Sequence, residues 1–236
     1  MSNCRFNPTL NGQLHLGHLY IILVNECEAH RSKGKFALRF DDDQFYWKVM
    51  NQSPVEDMRK GMIRDLTDMG IKLDACTSQE EMSVRTHKML DEFGYKKSGV
   101  LHHAYTHSYL PETKDGRFYP FVADYTAEKV VQDFIEGIDL LIRGEDLLTE
   151  FSLYNYFCRL WDLPTPKQVF LPRLKCFDGE LSPVSKTIGN FKIRDWLDRG
   201  TSVEKLIEAL RESCLVDPAG EWTISNVKNE PIFLSR

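Results

Sequence analysis

The 236-residue sequence predicts an α/β domain, with a parallel sheet wound on both faces by helices. Three observations carry this. Short apolar runs alternate with longer stretches of helical character along most of the chain. Glycines and prolines stand at the ends of many of those stretches. No repeat or low-complexity segment breaks the pattern. Apolar residues make up 42% of the chain, as in an ordinary globular protein long enough to bury a sizeable core.

Cys4-Arg5-Phe6 predicts a short strand. The stretch from His18 to Ser32 predicts a helix that stops at Lys33-Gly34. Lys35 to Phe40 alternates and predicts a second strand, ending at Asp41-Asp42-Asp43. Ser53-Pro54-Val55-Glu56 is a helix start with Pro54 at the first helical position, and that helix runs to Met69 before Gly70. Ser78 to Phe93 predicts another helix, closed by Gly94. Tyr95 to Pro120 is turn-rich and irregular, with short hairpin strands. Tyr125 to Phe134 predicts a helix and Ile138 to Arg143 a buried strand. A helix from Asp146 to Trp161 stops before Pro164. Val169 to Leu174 predicts a strand, Asp178-Gly179 a turn, and Ser202 to Cys214 a late helix before an irregular tail.

Composition excludes several classes. No run is long and apolar enough to span a membrane, and the N-terminus lacks a signal segment, so a cytoplasmic chain with no membrane partner is expected. Cys4, Cys27, Cys76, Cys158, Cys176 and Cys214 are scattered without a Cys-x-x-Cys pair and predict reduced thiols. The net charge of −5 disfavours nonspecific nucleic-acid binding and leaves a local basic patch as the route to RNA.

The richest stretch runs from Arg5 to His18. It sets an arginine, a loop punctuated by Pro8 and Gly12, and His15-Leu16-Gly17-His18 ahead of an apolar helix. Free N–H groups at a helix N-terminus bind phosphate, Gly17 lets a nucleotide approach the backbone, and the histidines donate to a triphosphate. This predicts an ATP site. Other residues carry rival readings. His102, His103 and His107 have metal-like spacing but no clear fourth ligand, so no metal site is assigned. Asp41 to Asp43 suit either a strand-end substrate contact or a magnesium site. Arg143 suits either a substrate or an ion pair with Asp133 or Glu145. Tyr154 and Tyr156 read as packing and surface residues.

Taken in order, this first motif, Arg39-Phe40-Asp41-Asp42, Thr77-Ser78-Gln79, Tyr125 ahead of Val130-Val131-Gln132-Asp133, Arg143-Gly144-Glu145-Asp146-Leu147-Leu148, and Leu171-Pro172-Arg173-Leu174 ahead of Val184-Ser185-Lys186 resemble the catalytic core of class I glutamyl- and glutaminyl-tRNA synthetases. The resemblance implies a Rossmann-like fold and an enzyme of protein biosynthesis. It implies formation of an aminoacyl-adenylate from ATP, with Mg²⁺, and transfer to tRNA. His15, His18 and Lys186 match catalytic groups on the phosphates. Gly17, Gly144, Glu145, Asp146 and Ser185 join them around ATP. Arg5 and Arg143 match two arginines facing the substrate side chain, which favours glutamate, because paired forks suit a carboxylate. Asp41 matches a glutamate that holds the substrate's ammonium group. Tyr125 matches a tyrosine on the bound amino acid, and Asn7 and Lys129 complete the expected pocket.

The departures are specific. Asp41 is one methylene shorter than the family's glutamate. Pro183 replaces the first lysine of the signature loop. Lys129 adds a charge one turn beyond Tyr125. The expected domains are a catalytic domain over 1–200 with a reduced insertion at 95–124, and a short helical appendage over 201–236 with no anticodon-binding domain. In this the chain resembles glutamyl-Q tRNA(Asp) synthetases without their zinc cysteines. Two alternatives stay open at this point: an adenylate-forming ligase with a non-tRNA acceptor, and a binding protein that keeps the fold without the chemistry.

Overall fold

The computed structural model describes residues 1–10, 12–41, 55–96, 120–178, 180–184 and 191–234. Strands β1 (Cys4–Phe6), β2 (Phe36–Phe40), β3 (Ala75–Ser78), β4 (Leu140–Gly144) and β5 (Lys167–Leu171) form one sheet in the order β3-β2-β1-β4-β5. All four pairings are parallel. The chain winds out from β1 to β3, then crosses to β4 on the other side of β1. Helix α1 (Leu16–Arg31) connects β1 to β2. Helices α2 (Val55–Asp68), α3 (Gln79–Glu92) and α4 (Pro120–Glu136) precede β4. A 3-10 turn (Glu145–Glu150) leads from β4 into α5 (Phe151–Leu160). The expected α/β class with a parallel sheet is the class observed.

Alternation along the strands divides the side chains between two faces. Cys4, Phe6, Phe36, Leu38, Phe40, Leu140 and Ile142 point into one core with α1. On the opposite side, Leu141 packs with Ala127, Val130 and Val131 of α4, and with Leu153, Tyr154 and Phe157 of α5. Arg5, Arg39 and Arg143 alternate with residues of the first core, so all three fall on the face toward α4. This arrangement positions the site.

A second sheet, β7-β6-β8, is built from β6 (Lys175–Asp178), β7 (Glu180–Pro183) and β8 (Ile232–Leu234). Strands β6 and β7 are antiparallel, while β8 lies parallel to β6. Helices α6 (Ile193–Asp198) and α7 (Val203–Cys214) complete the chain order. Leu206, Leu210, Cys214, Trp222 and Phe233 share the core of α1 and β1. The tail read as irregular therefore contributes a strand. The helix expected from Asp146 to Trp161 is a 3-10 turn followed by a shorter α-helix. The strand expected over Val169 to Leu174 starts earlier and stops at Leu171, before Pro172.

Candidate active site

The loop leaving β1 is tied to the end of β2. Thr9 bridges Asp41, and the Asp41 N–H donates to the Pro8 carbonyl at 3.0 Å. Helix α1 then starts after His15. The His15 backbone N–H donates to His18 Nδ1 at 3.3 Å, and the two rings stack at 3.7 Å. A Cβ on Gly17 would stand 3.1 Å from the His15 ring, so only glycine leaves that ring undisturbed. The first turn of α1 carries no acidic residue, which keeps its positive end available to an anion.

The end of β4 lies beside the end of β1, where the winding reverses. α1 lies on one face and α5 on the other, and such a reversal is the place where open parallel sheets bind their ligands. A Cβ on Gly144 would collide with the Asp146 carboxylate. Glu145 and Asp146 are exposed and turn toward Arg173: Glu145 Oε1 accepts the Arg173 N–H at 3.1 Å, and Asp146 lies 3.7 Å from the guanidinium.

A distant segment is fastened to the histidine turn. The Leu16 N–H donates to the Phe191 carbonyl, and the Ile193 N–H to the Leu14 carbonyl, each at 3.0 Å. Val184 stands 3.9 Å from where a Gly17 Cβ would be. Ser185 and Lys186 lie between these two anchors, outside the described residues, as do Asp42, Asp43, His102, His103 and His107. A cleft of about 470 Å³ lies between Gly12-Gln13 and α2, and none of the expected site residues lines it.

The expected amino-acid pocket is a buried charge cluster. Tyr125, Lys129, Asp133 and Glu136 recur at helical spacing on α4, one stripe facing the three arginines. Asp133 is the hub. Arg5 grips it with two bonds, of 2.7 and 2.8 Å, Arg39 donates at 2.6 Å, and the Tyr154 hydroxyl at 2.8 Å. Burial pushes the Asp133 carboxyl up, but Arg5 and Arg39 outweigh it and hold the group well below the usual carboxylate range. Arg39 also pairs with Glu136 at 2.7 Å and donates to Asn7 Oδ1 at 3.0 Å. The Arg5 fork, expected on a substrate carboxylate, is thus closed on a carboxylate of the chain.

Arg143 is different. Its nearest carboxylate among the described residues is Glu150, at 3.7 Å, rather than Asp133 or Glu145. Its Nε and Nη2 are buried without a hydrogen-bond partner among the described residues, and the guanidinium lies 5.1 Å from the centre of the Tyr154 ring. Burial and the nearby Arg5 lower its pKa, and Glu150 only partly offsets them. On the other flank, Asp41 Oδ2 accepts the Tyr125 hydroxyl at 2.6 Å and the Thr9 hydroxyl at 3.3 Å. Lys129 Nζ lies 3.8 Å from the same oxygen and 4.1 Å from the Tyr125 ring centre. Burial pulls the Lys129 ammonium down to about 8 against the attraction of Asp41.

The sequence reading placed Arg5, Asn7, Asp41, Tyr125, Lys129 and Arg143 in one pocket; the structure groups Arg5, Asn7 and Arg143 around Arg39, Asp133 and Tyr154, and Asp41, Lys129 and Tyr125 with one another. It missed Arg39 and Glu150 as members; Tyr154, read as packing, is packed in the core and also donates to Asp133. The available signal was an arginine inside an otherwise apolar strand, which needs a buried carboxylate.

Comparison with known proteins agrees with this architecture. Residues 2–106 match the family model described as tRNA synthetases class I (E and Q), catalytic domain. A glutamyl-Q tRNA(Asp) synthetase of Nocardia farcinica is 23% identical over 266 aligned residues, covering 91% of this chain and 85% of that protein. The cytoplasmic glutamate–tRNA ligase of Saccharomyces cerevisiae is 36% identical over 73 residues, 31% of this chain and only 10% of the yeast protein. Among solved structures, a glutamate tRNA ligase from Elizabethkingia meningosepticum superposes with a TM-score of 0.69 at 13% identity, over 98% of this chain and 67% of that one. Over residues 2–106 the chain is thus similar to the catalytic domain of the class I (E and Q) tRNA synthetases, and with its reversed winding at β1 and β4 it shares the fold of the glutamate tRNA ligase.

Proposed function

We propose that the protein activates a carboxylic acid of the glutamate kind with ATP, forming an acyl-adenylate, and passes the acyl group to an acceptor. Glutamate is the amino acid, and tRNA the acceptor, named by the relatives. One observation carries the reading: the stacked His15 and His18 open α1, the helix that follows β1, and Gly144 ends β4, the strand paired with β1 where the winding reverses.

In this reading a carboxylate oxygen attacks the α-phosphorus of ATP, and the bond to the β-phosphate breaks. Pyrophosphate leaves with the electron pair. His15, His18 and the N–H groups of α1 hold the phosphates, Gly17 keeps the approach open, and Gly144 to Asp146 face the nucleoside. Ser185 and Lys186 follow Val184, which reaches the histidine turn. Lys186 meets the phosphates as charge develops, so it acts on the transition state more than on binding. Mg²⁺ enters with ATP on its phosphates; among the described residues no group of His, Cys, Asp and Glu side chains is arranged to hold a metal.

The test is ATP–pyrophosphate exchange across amino acids and related acids, with and without total tRNA, followed by transfer of the labelled acyl group to tRNA. Acid-dependent exchange is expected. Absence of exchange with every acid in the presence of tRNA would overturn the reading and favour a binding protein that retains the fold.

A further inference from the structure

The pocket already contains an ammonium group, and it belongs to the chain. Lys129 Nζ lies 3.8 Å from Asp41 and 4.1 Å from the centre of the Tyr125 ring, and both Lys129 and Asp41 are buried. The Tyr125 hydroxyl bonds to the same Asp41 oxygen. A carboxylate beside an aromatic face is the environment that receives an ammonium cation. Here that environment is filled from α4. An incoming α-ammonium would find Asp41 already neutralised. It would shed its water beside Lys129 and gain no attraction in return. The short side chain of Asp41 suits this arrangement, since the lysine supplies the reach that a longer carboxylate would otherwise need.

The second observation lies across the cluster. Arg143 is 6% exposed, and two of its guanidinium nitrogens have no hydrogen-bond partner among the described residues. A buried fork left open in this way calls for an anion with two acceptor oxygens. Arg5 does not compete for that ligand, because Asp133 already holds it through two bonds. The cluster therefore leaves two buried Arg143 nitrogens unmatched, which suit a carboxylate, while its ammonium environment is already filled.

We propose that the acid activated here carries a second carboxylate for Arg143 and no ammonium on its α-carbon, with Lys129 standing in for the missing group. The class comprises unsubstituted, 2-hydroxy and 2-oxo dicarboxylates of about glutamate's length. This rests on the reading of Asp41, Tyr125 and Arg143 as the acyl pocket, and it names the substrate class for that reading. The reaction is unchanged: the carboxylate oxygen bonds to the α-phosphorus, the bond to the β-phosphate breaks, and pyrophosphate departs.

The test uses the whole chain at pH 7 with total tRNA present. Pyrophosphate exchange is measured with L-glutamate, glutarate, 2-hydroxyglutarate and 2-oxoglutarate. Direct binding of the same acids is followed by calorimetry without ATP. At least one acid lacking the ammonium is expected to exceed glutamate tenfold or more in kcat/KM and in affinity. Lys129→Gln should reverse the order by raising glutamate relative to the others, and Lys129→Arg should keep the wild-type order. Lys129→Met serves if the glutamine variant does not fold. Glutamate as the best acid in the wild type would overturn the inference while leaving adenylate formation standing. So would an equal change for every acid in Lys129→Gln, which would make the lysine structural. Selective binding with no exchange would overturn adenylate formation and leave the pocket assignment intact. Failure of every acid to bind would overturn the inference.

Discussion

Replacing Asp133 by Asn tests the hub of the buried cluster. In the wild type, Oδ1 accepts from Arg5 Nε and Arg39 Nη2, and Oδ2 accepts from Arg5 Nη2 and the Tyr154 hydroxyl. An asparagine with its oxygen at the first position keeps two of these bonds. Its NH₂ then faces Arg5 Nη2, donor against donor, while the Tyr154 hydroxyl can rotate to accept. Two buried guanidinium groups also lose the charge that balances them. Bonds to a charged group contribute about 1.5–3 kcal/mol each, and removing one partner of a buried pair costs about 3–5 kcal/mol. A loss of about 3–5 kcal/mol is therefore expected. That is a large share of the roughly 5–15 kcal/mol that stabilises a domain.

Urea unfolding followed by circular dichroism reads this as a midpoint lowered by about 1–2 M. The pH dependence has a definite sign. The folded Asp133 carboxyl is held below its ordinary value, so its contribution is present above the unfolded carboxylate pKa. It is lost only as pH falls through the lowered folded value. The gap between wild type and variant should thus hold steady from pH 8 down to the ordinary carboxylate range. A loss below about 1 kcal/mol would refute the account, because Arg39 would then be sufficiently balanced by Glu136 and Arg5 would need no internal partner.

The other predictions concern the reaction and the thiols. Lys186→Ala should lower the exchange rate by about a hundredfold with little change in ATP affinity; an equal loss confined to binding would make it a ground-state anchor. Gly17→Ala should raise KM for ATP several-fold, since its Cβ would meet the His15 ring at 3.1 Å; unchanged KM would remove the stacked pair from the phosphate site. KM for glutamate should fall as pH rises through about 8, where Lys129 loses its proton among Asp41, Tyr125, Arg5, Arg39 and Glu150, and the fall should vanish in Lys129→Gln. In the native protein, a thiol reagent should modify exposed Cys76 first, and Cys4, whose thiol burial pushes to about 12, only on unfolding. Early labelling of Cys4 would show that the N-terminal strand is not protected.

Much of the fold was legible because α1, α2, α3 and α7 carry their own start and stop signals, such as Ser78 capping α3 and Ser202 capping α7. Ala75–Ser78 escaped because an edge strand of four residues, exposed at its first two and buried at its last, has no alternation to display. Ile232–Leu234 escaped because three residues become a strand only through their pairing with β6. For the site, the types and the pocket were readable, but the partners were not. Spacing places Lys129 and Asp133 on one helical stripe, yet nothing local says that Asp133 closes on Arg5, more than a hundred residues away in sequence. Ion-pair partners across a sheet are set by tertiary geometry, and period alone does not encode it.

The position of β1 has a consequence for the order in which the molecule is made. Its three residues emerge from the ribosome before the other strands, yet they form the middle of the large sheet. Cys4 pairs with Phe36 on one side and with Leu140 on the other. The first partner follows soon after, but the second is synthesised more than a hundred residues later. Until then one flank of β1 carries open hydrogen-bonding groups, and Arg5 lacks the carboxylate it later holds. The sheet can close only late, which predicts slow folding and an aggregation-prone half-made chain that chaperones would shelter. Substitutions in β4 and α4 should then lower the yield of folded protein made in cells more than they lower the stability of the finished molecule.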